Sequence, residues 1–416
     1  MANKKLDVYY HGSHVGTLAE MPNKKIAFQY STEWQKTGFP LNPLSLPLSN
    51  TVFIPPDKNI DSFQGLYGTF ADSLPDAWGN LLMQNYLASI GLNANDMSTI
   101  EKLAYVGSSG MGALEYYPSK PTDFHIKNFD MDYDELSAEC NKVLSSKESK
   151  HLDLLYELAG SSGGTRPKIL IKENNTEWIV KFPAKTDPAI SGKREYDYSI
   201  CAKNCSINMM DTILIPSSTC DGYFKTERFD RVNGEKIFTS SFAALLNADY
   251  NTPTCDYSTY MKLIQVLTKD CEKDKQQMFK QMCFNVLTHN RDDHTKNFSF
   301  TYTNDLGWHL SPAYDITYSN TYYGEHTTSV NGKGKNITEN DMISIGTNAG
   351  LSKSFCIETL DCIKENIKPL EHYLSERKMP SRKKAGLSDR LLELQSDIDL
   401  QGPKDSPESK NEYTNL

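Results

Sequence analysis

The stretch Thr288-His289-Asn290-Arg291-Asp292-Asp293-His294-Thr295-Lys296-Asn297 constrains this chain more than any other. It follows a short apolar run, Met282 to Leu287, and precedes the alternating segment Phe298-Ser299-Phe300-Thr301-Tyr302, so a polar loop joins two buried elements. The loop holds Asp292 and Asn297 five positions apart. Asp and Asn are also ordinary turn residues. The pair therefore gains weight only from partners elsewhere in the chain.

At 416 residues the chain is too long for one ordinary core and suggests two or three domains. Its 38% hydrophobic and 23% charged content is that of a globular protein. No apolar run approaches the ~18 residues of a membrane helix. The N-terminus has lysines but no apolar stretch of a leader, so no membrane association and a cytoplasmic location are expected. Nine cysteines without a C-x-x-C pair read as buried small hydrophobes in a reducing compartment. A net charge of −9 argues against a large nucleic-acid surface on this chain, and leaves room for a DNA-binding partner subunit.

Residues 1–118 read as a small α+β unit, with strands at Lys5–Tyr10 and Ile26–Tyr30. Phe70 to Leu82 opens a helix, with Ser73 and Asp76 as a capping box, Pro75 in the first turn, and Trp78, Leu81, Leu82 and Tyr86 as its buried face. Gly107 to Gly112 reads as a tight turn before strand Ala113–Tyr117, because no Lys-Ser/Thr or helix signal follows the glycines. Residues 119–150 are a polar connecting segment and 151–375 a second, larger domain. The tail 376–416 carries one amphipathic patch (Leu387, Leu391, Leu392, Leu394), and its last part is expected to be disordered.

Four pieces of the larger domain fall in order. Ser161-Ser162-Gly163-Gly164-Thr165-Arg166-Pro167-Lys168 is a small-residue loop whose backbone N–H groups can approach phosphate oxygens. Alternation in Glu177-Trp178-Ile179-Val180-Lys181-Phe182 projects a lysine from an apolar strand, to be met by ATP phosphates, by Glu195, or by water. Lys225-Thr226-Glu227-Arg228-Phe229-Asp230-Arg231 is either an adenine-contacting hinge or a salt-bridged strand. Asp292 and Asn297 have the D-x-x-x-x-N spacing of a protein-kinase catalytic loop, and Asp315 ends a second strand, where a kinase keeps its metal-binding Asp. A zinc reading of His289, Asp292, Asp293 and His294 lacks H-E-x-x-H spacing, and the oxygen donors Asn297 and Asp315 suit Mg²⁺ better.

With these motifs in place the chain resembles the HipA family, the serine/threonine kinase toxins of bacterial toxin–antitoxin systems. Gly-Gly-Thr-Arg-Pro-Lys (163–168), Trp-Ile-Val-Lys-Phe (178–182), Glu-Arg-Phe-Asp-Arg (227–231), Asp-Asp-His-Thr-Lys-Asn-Phe-Ser (292–299) and Pro-Ala-Tyr-Asp-Ile (312–316) carry the likeness. Phe-Ala-Asp-Ser-Leu-Pro-Asp-Ala-Trp-Gly (70–79) and Gly-Met-Gly-Ala-Leu (110–114) resemble the family's N-terminal subdomain. The resemblance implies an α+β, protein-kinase-like (HipA-type) fold with a small α+β N-terminal subdomain and a larger, mainly helical C-terminal domain. It makes Asp292 catalytic and gives Mg²⁺ to Asn297 and Asp315. ATP would meet Gly163, Gly164, Thr165, Arg166, Pro167 and Lys181 at its phosphates, and Glu227, Arg228 and Phe229 at adenine. His294, Thr295, Lys296, Asn297, Tyr314 and Asp315 would complete the nucleotide site. The family switches itself off by autophosphorylation in the glycine loop, here at Ser161 or Ser162. It pairs with a HipB-like helix-turn-helix antitoxin that carries the operator-DNA contacts, and its known targets include aminoacyl-tRNA synthetases. The other readings are a kinase-like co-repressor or binding module for such an antitoxin, and a small-molecule kinase.

Overall fold

The computed structural model describes residues 4–120, 131–159, 162–321 and 324–375. The tail from 376 onward, with its leucine patch and the part expected to be disordered, lies outside the described residues, as does Ser161. Residues up to Leu370 form one compact unit, and the helix Glu371–Ser375 belongs to a second.

Four strands near the N-terminus make an antiparallel sheet: β1 (Lys5–Tyr10), β2 (Ser13–Glu20), β3 (Ile26–Tyr30) and β4 (Leu114–Tyr117), in the order β3-β2-β1-β4. Alternation in β1 buries Leu6 and Val8 on one face. Between β3 and β4 lie the helices Ala77–Ser89 and Thr99–Val106. The capping box expected from Ser73 and Asp76 does not form. Asp76 is the N-cap, but its carboxylate makes no cap bond because two distant loops claim it. Ser73 instead accepts a 2.7 Å bond from the buried Tyr116 hydroxyl.

The face of Ala77–Ser89 enters a core that crosses the expected domain boundary. Trp78, Leu82, Met83 and Leu87 pack with Leu136, Cys140 and Val143 of helix Tyr133–Leu144, and with Leu155, Tyr156 and Leu158 of helix Leu152–Ala159. Leu81 and Tyr86 are partly buried against this core, and Tyr86 stacks on Tyr156 with centroids 4.4 Å apart. The same core takes Ile169, Val180, Phe182 and Tyr223 from the next sheet.

That sheet comprises β5 (Lys168–Glu173), β6 (Thr176–Lys181), β7 (Thr212–Ile215) and β8 (Tyr223–Glu227), antiparallel in the order β5-β6-β8-β7. Asn174 and Asn175 turn β5 into β6 with φ of 49° and 69°, which a two-residue hairpin demands and Asn tolerates. The turn fixes the register and sets Lys168 opposite Lys181. A ribbon of β9 (Arg231–Val232) and β10 (Glu235–Lys236) leads to a third sheet, β11 (Phe238–Ser241), β12 (Ser299–Thr303) and β13 (Gly307–Leu310). Helices Tyr257–Leu267, Cys271–Leu287, Glu339–Asn348 and Lys353–Asn366 pack together beside it and make this part mainly helical. No helix among the described residues is long and apolar enough to cross a membrane.

Candidate functional site

Helix Cys271–Leu287 stops at Thr288, and His289 reverses the chain with a left-handed φ of 56°. The loop that follows is anchored through Asp293. Its buried carboxylate accepts the Tyr257 hydroxyl at 2.9 Å, the Thr327 and Thr328 N–H groups at 2.9 and 3.1 Å, and meets His326 Nδ1 at 2.9 Å. The adjacent Asp292 borders the cavity with its side chain 58% exposed. Asn297 Nδ2 donates to the Asp292 carbonyl at 2.6 Å and ties the ends of the hexapeptide together. His294 accepts the Lys296 N–H at Nδ1 (3.2 Å), and its Nε2 lies 3.7 Å from Asp292. The zinc set does not converge, since Asp293 is taken up by its own anchor. Among the described residues no three His, Cys, Asp or Glu side chains are placed to hold a metal ion.

Lys181 is the centre of a second cluster. It donates to Glu195 Oε1 at 2.6 Å, from helix Ser191–Asn204, and to Asp315. Burial alone would lower the Lys181 pKa, but Asp315 and Glu195 outweigh it and raise it. Burial would raise the Asp315 carboxyl, yet Lys181 and Lys168 hold it well below the usual range. Asp315 has a left-handed φ of 51°, uncommon outside glycine, and its segment is fixed by the Ala313 N–H bond to the Asn208 carbonyl at 2.8 Å.

Lys168 is a site residue that the sequence reading did not single out. It lies on the cavity wall opposite Lys181, its ammonium donating to the Gly163 carbonyl. Burial and the Lys181 charge push its pKa down to about 8. Counting outward from the Asn-Asn turn would have found it.

The glycine loop closes one side of the cavity. Gly164 has a φ of 83°, and a Cβ there would come within 2.6 Å of the Lys168 ammonium, so the position needs glycine. Its N–H donates to Asp76 Oδ2 at 2.9 Å. Asp76 Oδ1 meets Lys296 at 2.5 Å, and the Lys296 ammonium lies 4.5 Å from the centre of the Tyr250 ring. Arg166 pairs with Asp187 at 2.9 Å. Asp72, another unforeseen wall residue, accepts the Ser241 N–H and hydroxyl at 2.7 and 2.9 Å, and burial pushes its carboxyl up to about 6.

On the opposite wall the rings of Phe229 and Tyr314 stack, 5.3 Å between centroids. The Tyr314 hydroxyl donates to the Lys296 carbonyl at 2.7 Å. The Arg228 guanidinium is buried on Asp230 at 2.8 Å, so the salt-bridged reading holds for this side chain while Phe229 faces the cavity. Asp230 and Arg231 also fasten the Gly107–Gly112 turn: Gly112 N–H donates to Asp230 at 2.8 Å, and Arg231 donates to the Gly112 and Gly110 carbonyls at 2.9 and 3.1 Å. That turn is a packed connection, as its sequence indicates.

One cavity of about 640 Å³ joins these parts. Gly163, Gly164, Thr165, Arg166, Lys181, Glu227, Arg228, Phe229, Asp292, His294, Lys296, Asn297, Tyr314 and Asp315 all border it. Pro167 and Thr295 do not: the Pro167 carbonyl accepts the Phe182 N–H at 2.9 Å, and Thr295 is buried. Ser162 lies on the wall with its hydroxyl buried and unpartnered. Three lysines and the glycine-loop amides can neutralise an extended anion, stacked aromatic rings can hold a flat one, and an exposed carboxylate stands at the mouth.

Residues 160–369 match the HipA-like C-terminal domain and residues 6–117 the HipA N-terminal domain. A solved chain from the Shewanella oneidensis MR-1 toxin–antitoxin complex of HipA, HipB and operator DNA superposes with a TM-score of 0.65. It is 18% identical, over 91% of this chain and 92% of that one. The putative kinase Y4dM of Sinorhizobium fredii (strain NBRC 101917 / NGR234) is 22% identical over 200 residues, 44% of this chain. That match spans about half, 48%, of the relative's own length. The Helicobacter pylori proinflammatory kinase CtkA is similar over 50% of this chain and 94% of its own, at 14% identity and a TM-score of 0.32.

Proposed function

The chain belongs to the HipA family, and from that premise we propose that it is an ATP-dependent protein serine/threonine kinase, the toxin of a bacterial toxin–antitoxin pair. The observation that carries the proposal is the convergence of the Lys181–Glu195–Asp315 cluster and the Asp292–Asn297 loop on one cavity. Phosphoryl transfer asks a protein mainly for positioning and charge neutralisation. Lys181 and the glycine-loop amides would hold the phosphates, and Phe229 with Tyr314 would flank adenine. Asp292 would orient the substrate hydroxyl and take its proton.

Asn297 and Asp315 fit Mg²⁺, which takes one or two protein oxygens beside substrate phosphates. With the Asn297 nitrogen donated to the Asp292 carbonyl, its oxygen is the atom that would meet the ion. When bound, the ion supplies neutralisation of phosphate charge.

Regulation and partners follow the same reading. Ser161 or Ser162 would be the autophosphorylated residue. For Ser162, whose hydroxyl is buried, modification requires the loop to leave its place. A HipB-like helix-turn-helix antitoxin would bind the chain and supply most contacts to operator DNA, which suits a net charge of −9. The target would be a cytoplasmic protein, an aminoacyl-tRNA synthetase being the family's candidate. Residues 1–118 would act as the N-terminal subdomain and 151–375 as the kinase core.

Replacing Asp292 with Asn should lower transfer of labelled phosphate from ATP by at least ~10²-fold. Unchanged transfer would sink the assignment. Label on a metabolite rather than a protein would indicate a small-molecule kinase. A folded chain whose melting temperature ignores Mg-ATP would instead be a binding module. Phosphoproteomics after induced expression, wild type against Asp292→Asn, would name the target and the loop serine together.

A further inference from the structure

The glycine loop is fastened from outside the sheet it belongs to. Asp76 heads the helix Ala77–Ser89, yet its carboxylate caps nothing there. One oxygen accepts the Gly164 N–H at 2.9 Å and the other meets Lys296 at 2.5 Å. Two residues on, the Trp78 N–H donates to the Gly164 carbonyl at 3.2 Å, and its indole N–H donates to the Lys168 carbonyl at 3.0 Å. The start of one helix in the N-terminal subdomain thus grips the loop at Gly164 and at Lys168, and through Lys296 joins it to the catalytic loop. The Asp76 side chain is 26% exposed and that of Lys296 17%, so the pair is shielded from solvent far more than a surface ion pair.

We propose that Asp76 is a positioning residue whose carboxylate latches the glycine loop to the catalytic loop, and so sets the closed position of the loop over the nucleotide phosphates. The proposal rests on the nucleotide-binding reading of the cavity. Asp76 touches neither nucleotide nor target in this role; it acts through Gly164 and Lys296. A carboxylate suits the task because one group must accept from a backbone N–H and an ammonium at once, with charge-assisted bonds stronger than neutral ones. Asn at this position keeps an acceptor for Gly164 and loses the charge that holds Lys296.

The test uses the full chain with Asp76→Ala and Asp76→Asn, each checked for wild-type circular dichroism. Amide hydrogen exchange without nucleotide should be faster across residues 162–168 in Asp76→Ala, by about 10-fold or more at Gly164. The KM for Mg-ATP should rise by about 10-fold, with a smaller change in kcat, and Asp76→Asn should fall between. Asp76→Ala and Lys296→Ala should combine non-additively, because each removes the same bond. Unchanged exchange in the folded Asp76→Ala variant overturns the latch. So does a lowered KM, which would make the carboxylate a competitor of the phosphates. A wild-type chain that binds no nucleotide would refute the kinase reading, and the exchange arm would still decide whether Asp76 holds the loop.

Discussion

Lys168 and Lys181 face each other across one hairpin, and their surroundings drive their proton affinities apart. Lys181 lies between two carboxylates and keeps its charge, while Lys168, buried beside another ammonium, has a pKa of about 8. An anionic nucleotide prefers the protonated form. Affinity for ATP is therefore expected to weaken as pH rises through about 8, by roughly 10-fold per pH unit at most. Lys168→Arg, which stays charged, should flatten that profile, as calorimetric titration across this range would show. A wild-type affinity that ignores pH there would remove Lys168 from the phosphate site. The same shift has a stability consequence. The unfolded chain keeps this proton up to 10.5, so from about 8 to 10.5 it binds more protons than the folded one, and the Lys168 contribution to unfolding free energy rises with pH. At this scale Asp292 and Asn297 were legible because their spacing is local, and Lys181 and Asp315 because each lies on or just after a strand that the sequence marks. Asp76 was not, because its partners lie 88 and 220 positions away and its own neighbourhood reads as an ordinary helix cap.

The loop from His289 to Asn297 shows how one element gives adjacent residues of the same type opposite surroundings. Asp293 is buried under Tyr257, His326 and the backbone of Thr327 and Thr328, whereas Asp292 is exposed, its carbonyl engaged by Asn297 and its carboxylate 3.7 Å from His294. Asp293→Ala leaves those donors facing an empty place and is expected to cost about 3–5 kcal/mol. Asp292→Asn should change stability by no more than about 0.5 kcal/mol while lowering transfer by at least ~10²-fold. Thermal denaturation of the two variants separates the roles, and an equal loss of melting temperature would refute the division. Elements were legible where alternation runs for four residues or more, as in β1 and β6. The ribbon of β9 and β10 escaped because two-residue strands carry no period, and Glu-Arg-Phe-Asp-Arg stayed ambiguous because a charged strand reads alike whether it faces a ligand or its own sheet.

On the scale of the whole molecule one core spans the boundary that composition suggests near residue 119. Trp78, Leu82, Met83 and Leu87, together with Ala94 and Val106, complete a core whose other buried members come from residues 136–223. Burying such side chains contributes about 1.5–3 kcal/mol each, or roughly 6–12 kcal/mol for the first four, which rivals the whole stability of a typical domain. Polar anchors repeat the pattern at three further places: Asp72 on Ser241, Asp76 and Trp78 on the glycine loop, and Gly112 on Asp230. Asp230 deprived of the Gly112 N–H and two arginines deprived of their cover would be costly to keep buried. A chain that begins at residue 119 is therefore expected to lack a cooperative unfolding transition when expressed alone. Residues 1–118 supplied in trans should restore one, because the lost contacts are non-covalent and need only be re-formed. Circular dichroism melts of the two fragments, separate and mixed, measure this. A cooperative melt of the larger fragment by itself would show that the shared core is dispensable, and that the N-terminal subdomain is an attachment rather than a part of the kinase fold.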